Sequence, residues 1–143
     1  MKTHFDHEKL AVYQEAIAFC GWVGELLAEI EVKAAAKDQL DRASTSLLLN
    51  IAEGNGKVST VDRARFLEIA RGSALECAAC LDVLEVRKLV AAERIVPAKE
   101  RLVRILNMLM RMLKRFSGRA KFLREDDGVT RFEHEHEYEQ EQE

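Results

Sequence analysis

The stretch Leu40–Leu81, LDRASTSLLLNIAEGNGKVSTVDRARFLEIARGSALECAACL, decides the fold. In its first part Leu40, Ala43, Leu47 and Ile51 recur every three or four residues, which lines one face of an α-helix. Gly54 and then Asn55-Gly56 follow where a left-handed residue would cap that helix. Ser59 stands three residues before Asp62, a weak capping-box signal for a new helix start. Beyond it Phe66, Ile69, Ser73, Cys77, Cys80 and Leu84 share a stripe. The stretch reads as two long helices, about Lys37–Glu53 and Thr60–Lys88, joined by a short polar turn.

Outward from this pair the same period continues. Leu10, Tyr13, Ile17, Cys20, Val23, Leu27 and Ile30 mark a helix from about Asp6 to Glu31. Downstream, a helix is expected from about Ala92 to Ser117. Pro97 is tolerated only near a first turn, which moves its regular part to around Val96. Gly118 is the stop signal. Four such helices with short connections predict an all-α chain, an antiparallel up-down four-helix bundle over residues 1–117.

Charge divides the chain at the same point. Residues 1–117 carry 18 basic and 16 acidic side chains, whereas residues 118–143 carry 4 and 9, so the net charge of −3 hides a mildly basic body. From Glu133 to Glu139 glutamate alternates with other residues, and residues 118–143 are expected to be an acidic tail, disordered or partly helical. The composition, 48% hydrophobic with a single Pro and three Cys, excludes collagen, a disulfide scaffold and full-length disorder. The longest uncharged run, Ala43–Ala52, is half of the roughly 20 residues a spanning helix needs. No basic region leads into an apolar start. The expectation is a cytoplasmic protein without a membrane partner.

The constellations that could carry chemistry are few. Cys77 and Cys80 have the spacing of a metal or redox pair, but a zinc site needs a second pair or nearby histidines. Only Cys20 remains, and the four histidines lie at 4, 7, 134 and 136. The cysteines therefore read as small core residues. A di-iron bundle needs Glu-x-x-His on two helices, and the one example, Glu133 to His136, lies in the tail. Gly54-Asn55-Gly56-Lys57 lacks the spacing of a phosphate loop. No nucleophile has a histidine in the helical body to activate it. No metal, cofactor or catalytic residue is expected, and the chain reads as a non-enzyme.

Two features ask for more. On the second helix Arg42, Ser46, Asn50 and Glu53 make one polar face; on the third, Gly72, Ser73 and Glu76 interrupt a good helix. Glycine in mid-helix costs about 1 kcal/mol against Ala, which suggests a close neighbour. Arg42, Asn50, Glu53 and Glu76 are expected to be largely buried and mutually hydrogen-bonded. On the fourth helix Leu102, Ile105, Leu106, Leu109, Leu113 and Phe116 form one arc, and Arg101, Arg104, Arg111 and Arg115 another, with Lys114 and Arg119 extending it. Such a stripe can track phosphates, or it can be a solvated face paired with acids on a neighbouring helix.

The run Arg42-Ala43-Ser44, Ser46, Asn50-Ile51-Ala52-Glu53-Gly54, Ser59, then Arg65 to Ser73 with Glu76, resembles the four-helix-bundle proteins encoded in intervening sequences of bacterial 23S rRNA genes. Phe5 with Leu10 to Ala16 is similar to that family's opening, and the likeness covers roughly residues 4–117. The resemblance implies four antiparallel helices and a homopentameric ring. It also points to the accessory variability protein of diversity-generating retroelements, which binds nucleic acid and a reverse transcriptase. The chain departs from that relative in its acidic net charge and Glu-rich end.

The function expected is an oligomeric module that binds RNA or DNA, with a reverse transcriptase as a partner the resemblance implies. The alternative is a protein-interaction scaffold. Assembly has its own expectation: Phe19 and Trp22 lie off the main stripe of the first helix, Met108 and Met112 border the arc of the fourth, and Gly21 and Gly24 would admit a neighbouring copy.

Overall fold

The computed structural model describes residues 2–116; Arg119 and the expected acidic tail lie outside them. A short 3-10 turn at Asp6–Lys9 leads into α1 (Ala11–Glu29), α2 (Ala35–Gly56), α3 (Thr60–Val86) and α4 (Ala92–Phe116). There is no strand among the described residues. Each helix packs on those adjacent in sequence, and α4 closes back on α1. The four-helix reading holds, and the core holds most of the expected apolar positions. Leu40, Ala43, Leu47 and Ile51 of α2 are buried, as are Leu102, Ile105, Leu106, Leu109 and Leu113 of α4.

The expected stripe of α1 is turned. Its buried face is Val12, Ala16, Phe19, Val23, Leu26 and Ile30, while Ile17 is 43% exposed. Helix α1 is apolar over much of its circumference, so period alone leaves two faces open. Phe19 settles it, because an aromatic side chain removes the most apolar area from water when it faces inward. Phe19 therefore belongs to the core and not to an outer surface. Trp22 is half-buried against that core, with its ring 6.0 Å from Phe19. In α3, Ile69 is exposed, and Leu67, Ala70, Ala74 and Leu81 join the buried stripe.

The helix ends correct a second expectation. Gly54 does not take a left-handed cap; no glycine among the described residues has positive φ, and α2 runs on through Gly56. The reason for glycine there is proximity. A Cβ on Gly54 would meet Phe66 Cβ at 3.1 Å and the Arg63 carbonyl at 3.5 Å. The left-handed residue is Lys88, at φ 60°. Its N–H donates to the Glu85 carbonyl and that of Leu89 to Leu84, both at 2.9 Å, which closes α3 in a Schellman motif. Ser59 does cap α3, accepting from the Asp62 N–H at 3.3 Å. Helix α4 begins at Ala92, so Pro97 lies in its second turn rather than its first.

Candidate nucleic-acid interface

Short turns dictate which helix ends meet. Asn55 Nδ2, near the end of α2, donates to Asp6 Oδ2 at 3.2 Å. The Arg63 guanidinium, in the first turn of α3, lies 5.5 Å from the ring of Phe116, the last residue of α4. One end of the bundle thus gathers the start of the chain, the α2–α3 turn and the end of α4. At the other end Arg94 bonds Glu29 at 2.7 Å and the Lys99 ammonium pairs with Asp82.

The gathering separates charge. Residues 2–20, 46–73 and 104–116, the half containing the α2–α3 turn, hold 10 basic and 6 acidic side chains. Residues 21–45 and 74–103, the other half, hold 8 and 10. Within the basic half, Lys57 and Arg65 flank the ring of Phe66, 4.8 and 5.2 Å from its centre. Arg63 Nε donates to the Lys57 carbonyl at 2.5 Å, which ties the turn to α3. Arg111, Lys114 and Arg115 stand exposed on the last turns of α4, where cations also complement the helix dipole.

The arc on α4 is therefore split. Arg101 and Arg104 both face Glu15 of α1, each 3.8 Å from its Oε2. That oxygen is buried and accepts no hydrogen bond among the described residues, so the two guanidinium groups are its counter-charges. These two arginines serve the α1–α4 seam, the paired-face reading, while Arg111, Lys114 and Arg115 face solvent. Lys57, Arg63 and Arg65 went unread as site residues. The signal was present: in an antiparallel bundle the first turn of α3 must lie beside the last turn of α4.

The polar motif is not a buried network. Arg42, Glu53 and Glu76 are exposed, and Asn50 is half-buried. At about 100° per residue, Arg42 and Glu53 lie roughly 130–150° from the middle of the α2 buried face, so they line the outside. What crosses between helices is smaller: Ser73 Oγ donates to Ser46 Oγ at 2.9 Å, while within α2 Asn50 Nδ2 donates to the Ser46 carbonyl at 2.8 Å. Farther along, Gln39 bridges Arg42 and Glu76 on the surface. Arg42, Ser46, Asn50 and Glu53 line an open groove with Leu49. Gly72 has no atom within 4 Å of a Cβ position, and neither has Gly21 or Gly24.

Cys77 and Cys80 are core residues. Burial pushes both thiols up, with Cys80 and Cys20 adding to the effect on Cys77 and Glu76 to that on Cys80. Such thiols are poor nucleophiles and poor ligands. No group of three metal-ligating side chains occurs among the described residues, and no described helix is long and apolar enough to cross a membrane.

The fold and this surface define an all-α bundle with a charged end. The chain belongs to the 23S rRNA-intervening sequence protein family, whose model matches residues 8–111. A crystal structure from Bacteroides thetaiotaomicron, of a protein with unknown function from the S23 ribosomal protein family, shares the fold. It matches with a TM-score of 0.70 at 21% identity, covering 73% of this chain and 99% of that chain. No curated protein matches.

Proposed function

We propose that the protein is a non-enzymatic module that binds RNA or DNA through the basic end of its bundle. The observation that carries this reading is that Lys57, Arg63 and Arg65 lie at the same end of the bundle as the exposed Arg111, Lys114 and Arg115, an end with an excess of bases drawn from three parts of the chain. Phosphate backbones are recognised by such clusters without a preformed cavity, since each contact releases condensed counterions. Phe66 and Phe116 hold the arginines over apolar faces and limit the freedom lost on binding. A homopentameric ring, the assembly implied by the resemblance, would present five copies and raise avidity without a new contact. Phe19 no longer argues for that ring; the exposed Leu49 and Ile69 do.

Fluorescence anisotropy with structured RNA and with duplex DNA at two salt concentrations tests the reading. Five phosphate contacts would give a log–log salt slope of about −4.5 on duplex DNA. Absence of binding at low salt would remove it. The second reading, a protein scaffold, rests on those same exposed apolar residues, Leu49 in the open groove along α2 and Ile69 on α3. Partners that survive nuclease treatment in a pull-down, a reverse transcriptase among them, would favour it.

A further inference from the structure

The basic end of the bundle has a candidate occupant in its own chain. Phe116, the last described residue, lies at that end, its ring 5.5 Å from the Arg63 guanidinium. Twenty-seven residues follow it. Of these, residues 133–143 contain six glutamates and no Lys or Arg. The intervening residues 117–132 hold four basic and three acidic side chains, so the negative charge is concentrated at the far end. We propose that Glu133–Glu143 docks on the basic end of the same chain and competes there with polyanions. The competition half of this proposal rests on the nucleic-acid reading; the docking half does not.

Reach is no obstacle. Sixteen residues extend to at most about 55 Å at 3.3–3.6 Å each, against a bundle about 20 Å across. Direction is set by charge. The opposite end carries an excess of acids and repels the segment, whereas the nearer end carries an excess of bases. Three acids of the nearer end have partners there: Asp62 pairs with Arg65 at 3.7 Å, Asp6 accepts from Asn55, and Glu8 accepts from the His4 and Phe5 N–H groups. The pattern of the segment also matters. Glutamate at every second position, 133 to 143, puts all six carboxylates on one side of a chain laid down extended, about 6.8 Å apart. A row of anions on one edge is the chemistry by which a nucleic-acid strand is held. Because the segment is tethered, a weak attraction suffices to keep it in place.

Zero-length carbodiimide coupling of the full chain at low salt, read by mass spectrometry, tests the docking. Mixed heavy- and light-isotope chains report which chain supplies each partner. The expected result is amide links from Glu133–Glu143 to Lys57, Lys114 or Lys9 within one chain, absent at Lys33, Lys37 and Lys88 and lost at high salt as screening shortens to about 3 Å at 1 M. Links absent, spread evenly over both ends, or formed only between heavy and light chains would overturn it. The competition is read on the full chain with Glu133, Glu135, Glu137, Glu139, Glu141 and Glu143 each changed to Gln. A segment docked nine-tenths of the time weakens apparent affinity about tenfold, so the variant should bind a 20-nucleotide single-stranded RNA about tenfold tighter than the parent. Equal binding by both chains would overturn the competition. Binding by neither chain would remove the nucleic-acid reading itself, and the cross-links would still decide the docking.

Discussion

The two ends of this bundle are built from the same kinds of side chain and differ in what the turns do with them. At the basic end, α2 and α3 approach so closely that a Cβ on Gly54 would press on Phe66 Cβ at 3.1 Å, and Lys57, Arg63 and Arg65 are packed around phenylalanine rings. At the other end the turn after α3 places a lysine in the left-handed region, and two cations pair across helices, Arg94 with Glu29 and Lys99 with Asp82, Arg94 also lying over the Trp22 ring. A charge paired across a seam holds two helices together; an exposed charge without a cross-helix partner among the described residues, such as Arg65, remains available to a ligand. The difference lies in connectivity more than in composition.

The largest expected effect breaks the basic end. Gly54→Val drives methyl groups into Phe66 Cβ and the Arg63 carbonyl, and overpacking of this kind costs about 1–3 kcal/mol. Denaturant unfolding should show that loss. An unchanged midpoint would mean that α2 and α3 separate freely and that the basic cluster is not rigidly built.

At the opposite end the change runs the other way. Lys88→Gly removes a left-handed side-chain clash that costs roughly 1–2 kcal/mol and raises unfolded-state entropy, for a net gain of about 0.5–1 kcal/mol. A higher melting temperature is expected. A lower one would mean that the Lys88 side chain contributes contacts worth more than its backbone strain.

The smallest effect concerns the polar motif between the ends. Glu53→Ala should change stability by less than about 0.5 kcal/mol, the usual range for exposed positions. A loss of about 3 kcal/mol or more would return Glu53 to a buried network, one completed by a neighbouring copy.

How much of this was legible varies by element. Helices α2 and α4 were readable because each has a single apolar stripe beside polar residues, so period and burial agree. In α1 they disagree: Ile17, Cys20 and Leu27 form as regular a series as Val12, Phe19 and Leu26, and only packing chooses between them. Glycine misled in two ways. Gly54 reads as a cap and is a close approach, while the left-handed position fell on Lys88, which no propensity favours. The candidate site is half legible. Arg111, Lys114 and Arg115 are visible as a stripe on one helix, but Lys57, Arg63 and Arg65 come to the same end of the bundle only after the chain folds back. Arg101 and Arg104 looked the same as the others in sequence, and the position of Glu15 on α1 distinguishes them.

The most direct test reverses charge at each end separately and measures RNA affinity against salt. Arg111→Glu with Arg115→Glu should weaken low-salt binding by about tenfold or more and reduce the salt slope by about 2. Lys33→Glu with Lys88→Glu, the same charge change at the other end, should alter affinity by less than about twofold, because charges beyond the roughly 10 Å Debye length at 0.1 M are screened. Equal losses from the two pairs, or none from the first, would contradict a nucleic-acid surface at the basic end.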